Sequence, residues 1–225
     1  MTWIRLFEKA VALLEASQIP ADDWSFGGGT ALALFLGHRE SADVDIFLTD
    51  AQYLTYLTPR LNKAAASMAA DYVEAAGFLK LKLPGGEVDF IIAPYLTPNP
   101  RVTTDVGGKR IFIETPEEIV LKKLFYRTET FKVRDVVDAA AVFAERREEL
   151  LRQAGLLCSK LDILQRRWEK LQGIYAEEVR GLRILKEDLV KDTPILFIAF
   201  LEELMRRCET SARKSGAGEG FKSES

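Results

Sequence analysis

The chain has 225 residues, 48% of them hydrophobic and 29% charged, with a formal net charge of −3. That balance supplies a sizeable core, excludes disorder throughout, and predicts one large domain or a domain with an appendage. No apolar run approaches the ~20 residues of a membrane helix, and Met1 to Ala16 lacks a signal-peptide pattern, so a cytoplasmic protein is expected.

Apolar residues at Trp3, Ile4, Leu6, Phe7, Ala10, Val11, Leu13 and Leu14 follow a 3.6-residue period and predict a first helix, ending before Pro20. A short strand, Trp24 to Phe26, then runs through Gly27-Gly28-Gly29-Thr30 into a short helix over Ala31 to Leu36. Val44 to Leu48 reads as a strand, and Ala51 to Ala70 as helix punctuated by Pro59. Phe78 to Leu83 alternates with period two, turns at Pro84-Gly85-Gly86 and returns over Val88 to Ile92; Val102 to Val106 and Arg110 to Ile113 predict a second hairpin. At Thr115-Pro116-Glu117-Glu118 the period changes, with Thr115 as N-cap, Pro116 in the first helical position and Glu118 closing a capping box. From there to about Met205 the sequence is helical, with breaks expected near Thr128 to Lys132, at Gly155 and at Asp192-Thr193-Pro194. The fold class is α+β: a mixed sheet flanked by helices, then a C-terminal helical block. The expected domains are 1–150, a helical region 151–210 and a disordered tail 211–225.

The two cysteines, Cys158 and Cys208, argue against a disulfide scaffold or a Cys-based zinc site and are expected to be small helix-packing residues in a reducing compartment. A single histidine, His38, excludes a multi-His metal centre and allows a Ser-His-Asp triad only if it serves itself.

The chemistry-bearing residues concentrate between Gly28 and Ile46. On a strand, residues i and i+2 share a face, so Asp43 and Asp45 point together while Val44 and Ile46 face the core. Paired carboxylates repel, and Mg²⁺ relieves them as a hard cation that shares oxygen ligands with phosphates. Gly28 and Gly29 before a helix let backbone N–H groups approach an anion, a side chain there would hold a triphosphate off the backbone, and Thr30 adds a hydroxyl. Arg39 and Ser41, just before the acids, are further phosphate donors, although Ser41 would also serve as a turn cap. Taken singly, a D-x-D pair reads as a solvated strand end and a glycine run as a turn; joined in this order they are more specific.

This order resembles the nucleotidyltransferase superfamily signature, with a spacer of thirteen residues from Thr30 to Ala42 at the long end of what that family accepts. Gly28-Gly29-Thr30-Ala31-Leu32 with Gly37-His38-Arg39-x-Ser41-x-Asp43-Val44-Asp45 is similar to the AbiEii/AbiGii-type nucleotidyltransferases, toxins of type IV toxin–antitoxin and phage abortive-infection pairs. Glu118 to Lys123 and Lys132-Val133-Arg134-Asp135-Val136-Val137-Asp138 extend the resemblance, which covers about Phe26 to Phe143.

The resemblance implies a third carboxylate on a later strand. Asp89 is the candidate and Glu87, on the same face, the alternative; a solvated strand edge is the ordinary reading of Asp89. By analogy Asp43 and Asp45 hold the metal of the NTP, and Asp43, Asp45 and Asp89 a second ion that activates the acceptor hydroxyl. It favours Lys123 over Lys122 as the counter-charge to the β/γ-phosphates. Arg134 and Asp138, four residues apart, form either a surface ion pair or a working pair, with Asp138 orienting Lys123 or the acceptor and Arg134 on phosphate.

Residues 1–150 carry 17 Lys/Arg against 22 Asp/Glu, whereas residues 151–214 carry 13 against 10. A basic helical block beside an acidic half suits a polyanion such as RNA, and is also ordinary helix surface. The resemblance adds a tRNA end as acceptor and a cognate antitoxin as partner; an antibiotic-type small-molecule acceptor and a catalytically silent binding module are the alternatives.

Overall fold

A computed structural model describes residues 2–217. The described residues fall into two compact units divided between Ile119 and Val120. The expected domain end at residue 150 lies inside the second unit.

The first unit opens with α1 (Thr2–Ala16), whose apolar stripe is buried as its periodicity predicts. β1 (Trp24–Gly27) leads into α2 (Gly28–Leu36), and β2 (Val44–Leu48) follows after a loop. Two short helices, α3 (Gln52–Leu57) and α4 (Lys63–Met68), flank Pro59. Then come β3 (Asp71–Ala75), β4 (Phe78–Leu83), β5 (Gly86–Ile92), β6 (Arg101–Val106) and β7 (Lys109–Glu114). All seven strands form one mixed sheet in the order β3-β4-β5-β2-β1-β7-β6. β2 runs parallel to β5, and β1 parallel to β7; the other neighbours are antiparallel.

The alternation along β2 and β5 separates the two sheet faces. Val44, Ile46, Leu48, Val88 and Phe90 are buried, while Asp45, Phe47, Asp89 and Ile91 point the other way and are only partly covered. α1 packs on β2 and β5. Phe26 anchors this core, with its ring 5.0 Å from Phe7 and 6.0 Å from Trp3.

β3 is not marked in the sequence, because Asp71-Tyr72-Val73-Glu74-Ala75 is an edge strand paired only with β4 and has no buried face to impose alternation. α5 (Pro116–Tyr126) begins where the capping signal predicts. The amide of Glu118 donates to Thr115 Oγ1 at 3.4 Å, whereas the Thr115 amide donates to Pro100 O. The Glu118 carboxylate accepts the amides of Leu96 and Thr97 and the Thr97 hydroxyl, fixing the loop before β6.

The second unit holds the rest of α5, then α6 (Val133–Glu145), α7 (Arg147–Gln153), a 3₁₀ segment Ala154–Lys160, α8 (Leu161–Gln172), α9 (Tyr175–Glu178) and α10 (Glu187–Ala217). Phe131, Phe197, Phe200, Phe143 and Trp168 form its aromatic core.

Two expectations fail here. No break occurs at Asp192-Thr193-Pro194, since α10 runs through Pro194. A proline there lacks the N–H that Val190 O would accept, and the Tyr175 hydroxyl fills the gap by donating to Val190 O at 2.9 Å. Cys158 and Cys208 are not separate packing residues; they form a disulfide, with Cα atoms 5.6 Å apart. Packing of the 154–160 segment against α10 brings together two positions 50 residues apart, within the usual bridging range. α10 also carries helix to Ala217, into the stretch predicted to lack structure; residues 218–225 lie outside the described residues. Among the described residues no helix is long and apolar enough to cross a membrane.

Candidate active site

The first group of candidate residues lies on the half-open sheet face. Asp45 on β2 and Asp89 on β5 are directly paired across parallel strands. Neighbouring strands lie about 4.8 Å apart, so two like charges are held side by side. Asp89 bears the strain of this. Burial and the charge of Asp45 push its carboxyl from 3.8 up to about 6, with Lys80 opposing the rise. Its Oδ2 lies 3.2 Å from Lys80 Nζ, while its Oδ1 is buried and accepts no hydrogen bond.

On the other side of Asp45 lies Gly27, its antiparallel partner on β1. Here α2 starts at Gly28, with φ +70°. A Cβ on Gly28 would stand 1.8 Å from Asp45 Oδ2, so the space a side chain needs is already filled by the carboxylate. Gly28 is thus required by its backbone angle and by the approach of Asp45. At Gly29 a Cβ would lie 2.7 Å from Arg39 Nη2 and 3.0 Å from Ser41 Oγ. The guanidinium and the hydroxyl therefore stand against the N-terminal turn of α2, where a helix favours anions.

Thr30 differs from its expected role. It is buried, and its hydroxyl donates to Asp43 O at 2.5 Å, fixing the loop that leads into β2. Asp43 sits exposed just before that strand, and its Oδ1 accepts the amide of Glu87 at 3.4 Å. His38, in the loop after α2, is fully buried.

A cation fits the Asp45/Asp89 pair. The donors are hard oxygens, they crowd one another, and one buried oxygen of Asp89 lacks a partner. Mg²⁺ commonly takes one or two carboxylates and completes its shell with water and phosphate. Among the described residues no group of three or more His, Cys, Asp or Glu could hold a metal ion, so Asp43 does not complete a preformed three-carboxylate set.

The second group lies in the second unit. Lys123, near the end of α5, is buried; its ammonium bonds to Asp138 Oδ2 and lies 3.2 Å from Asp135 Oδ1. Both acids are on α6. Asp135, at the third position of that helix, also accepts the Lys132 amide at 3.0 Å, closing the helix start from within. Asp138 is thus buried against Lys123, while Arg134 is exposed. Lys122 is buried as well.

Reading the residues missed the Lys123–Asp135 and Lys80–Asp89 ion pairs. Asp135 had a visible signal in its N3 position. Lys80 had one in the alternation of β4, which places Phe78, Lys80 and Lys82 on the same face as Glu87 and Asp89.

The profile described as Nucleotidyl transferase AbiEii toxin, Type IV TA system, matches residues 12–190. No curated protein sequence matches the chain significantly. Among solved structures, JHP933 from Helicobacter pylori superposes with a TM-score of 0.52 at 19% identity, over 95% of this chain and 94% of that one. A putative nucleotidyltransferase from H. pylori gives 0.51 at 20% identity, over 92% and 94%. ANT(2'')-Ia in complex with adenylyl-2''-tobramycin gives 0.54 at 13% identity, over 71% and 99%. At these identities the likeness is one of fold.

Proposed function

The chain belongs to the AbiEii nucleotidyl transferase toxin family of type IV toxin–antitoxin systems, and from that premise we propose that it transfers a nucleotide from an NTP to a hydroxyl of RNA, first of all a tRNA end. The acceptor oxygen attacks the α-phosphorus, the bond to the β-phosphate oxygen breaks, and pyrophosphate leaves. The observation that carries this reading is the Asp45/Asp89 pair, set beside Gly28 at the start of α2.

Asp45 and Asp89 would hold a divalent cation with the phosphates, and exposed Asp43 joins them when nucleotide and a second ion are present. A bound Mg²⁺ supplies charge neutralisation on the phosphate oxygens and acidifies the acceptor hydroxyl. The amides of Gly28 and Gly29, with Arg39 and Ser41, orient the phosphates. Thr30 acts indirectly, by fixing the Asp43 loop. Lys123 is the counter-charge to the β/γ-phosphates, with Asp138 and Asp135 holding its ammonium in one place. Arg134, exposed at the start of α6, is carried over from the family resemblance as a further phosphate residue.

An RNA acceptor draws support from the basic balance of the C-terminal helices. That support is reduced by pairing of the block's arginines: Arg206 with Glu202 and Arg207 with Glu148. The toxin family implies a cognate antitoxin as partner and a cytoplasmic site of action. ANT(2'')-Ia, whose complex contains adenylyl-2''-tobramycin, supplies the second reading, a small-molecule acceptor.

The test is incubation of the purified protein with each labelled NTP and Mg²⁺, with total tRNA in one arm and aminoglycosides in the other. Label on tRNA alone supports the RNA reading. Label on the aminoglycoside alone replaces it with the second, and no transfer in either arm favours a silent binding module.

A further inference from the structure

Three strands carry one row of charge across the open sheet face. Asp45 on β2 is paired with Asp89 on β5, and Asp89 is paired with Lys80 on β4. The carboxylate of Asp89 thus lies between an acid and a base. Lys80 reaches only one of its oxygens, Oδ2 at 3.2 Å, and leaves Oδ1 buried without a hydrogen-bond partner. The same ammonium also bonds to Glu87 Oε2, two residues back on β5.

An ordinary cross-strand ion pair has one partner and open ends, as Lys82 of β4 has with exposed Asp71 of β3 at 2.8 Å. Lys80 differs in three respects. Its side chain is mostly covered, at 28% exposure; it has two carboxylates to choose between; and the inner one is the acid paired with Asp45. A divalent cation between Asp45 and Asp89 would meet this ammonium as a close like charge. Glu87 already holds the ammonium on the outer side, so it offers the lysine a position that leaves Asp89 to the cation.

We propose that Lys80 is the resident counter-ion of the Asp45/Asp89 pair: it holds Asp89 in place when no divalent cation is bound and withdraws to Glu87 when one arrives, so that it sets cation affinity. This rests on the reading of that pair as a cation site. Lys80 is then a positioning residue, acting through Asp89. Its replacement by a neutral side chain gains cation affinity, which loss of a merely structural residue would not. Glu87 has the opposite effect: without its charge, Lys80 stays on Asp89 and resists the cation.

The test is Mn²⁺ binding to the full chain, without nucleotide, by calorimetry and by loss of the free-Mn²⁺ paramagnetic signal. At a few ångströms' separation, removing one like charge should tighten Mn²⁺ binding by about tenfold in Lys80→Met. Lys80→Gln should behave likewise and serves if the Met variant does not fold. Lys80→Arg should match wild type, Glu87→Gln should bind more weakly, and Asp89→Asn should lose the site in either background. Unchanged or weaker Mn²⁺ binding in both neutral variants, with binding still lost in Asp89→Asn, would overturn the role of Lys80 and leave the cation site standing. Binding that ignores Asp89→Asn, or that is absent from every variant, would overturn the cation site and the role of Lys80 together.

Discussion

Asp89→Asn gives the sharpest thermodynamic reading of the sheet face. Burial and Asp45 raise the Asp89 carboxyl from 3.8 to about 6, despite the ammonium of Lys80. At about 1.4 kcal/mol for each pH unit, ionised Asp89 costs the cation-free fold about 3 kcal/mol. The sign follows from proton counts. Between the two values the folded state holds the proton and the unfolded chain does not, so stability falls as pH rises. Below about 4 both states are protonated and the cost vanishes; above about 6 it is present in full. The asparagine variant lacks this titration, while the other groups are common to both proteins. Urea unfolding of both, across about pH 4 to pH 8 in chelator, should show the variant gaining about 3 kcal/mol on wild type as pH rises. Excess Mg²⁺ at neutral pH should stabilise wild type more than the variant. A difference that stays flat would refute the reasoning. So would one of opposite sign, since it would mean that the Lys80 pair outweighs burial and Asp45.

Lys123→Ala should slow transfer on the order of a hundredfold and raise the NTP requirement, because a phosphate counter-charge is lost. It should also cost about 3 kcal/mol in urea unfolding, since it strips the ammonium from two buried carboxylates; Lys122→Ala should leave nucleotide kinetics near wild type. Tyr175→Phe should lower unfolding stability by about 1–2 kcal/mol, by orphaning Val190 O opposite Pro194. Reducing the Cys158–Cys208 bridge should cost up to about 4 kcal/mol of the stability read by thermal unfolding, given the length of chain it closes.

Much of the first unit was legible because local signals agreed with one another. Alternation in Val44 to Leu48 and Phe78 to Leu83, glycines at 27–29 and the period of α1 each fix a local structure, and the sheet satisfies all of them. Period two set Asp45 on the face opposite Val44 and Ile46, whereas Asp43 lies before β2 begins. What sequence could not give was set by neighbours distant along the chain. Thr30 spends its hydroxyl on Asp43 O, which no spacing reveals. Pro194 ends a helix by every local rule, yet the Tyr175 hydroxyl replaces the bond that proline removes. Cys158 and Cys208 meet only because the 154–160 segment packs on α10. Glu118, read as a capping residue, also accepts the amides of Leu96 and Thr97, a contact no local spacing reveals.

The central claim, nucleotidyl transfer centred on the Asp45/Asp89 pair, is tested most directly by where the label travels. Wild type and Asp45→Ala are incubated with Mg²⁺, total tRNA and NTP labelled either at the α- or at the γ-phosphate. The account predicts that only the α-label reaches RNA, that γ-label leaves as pyrophosphate, and that Asp45→Ala transfers neither. Transfer of the γ-label, or equal α-label transfer by Asp45→Ala, would contradict it.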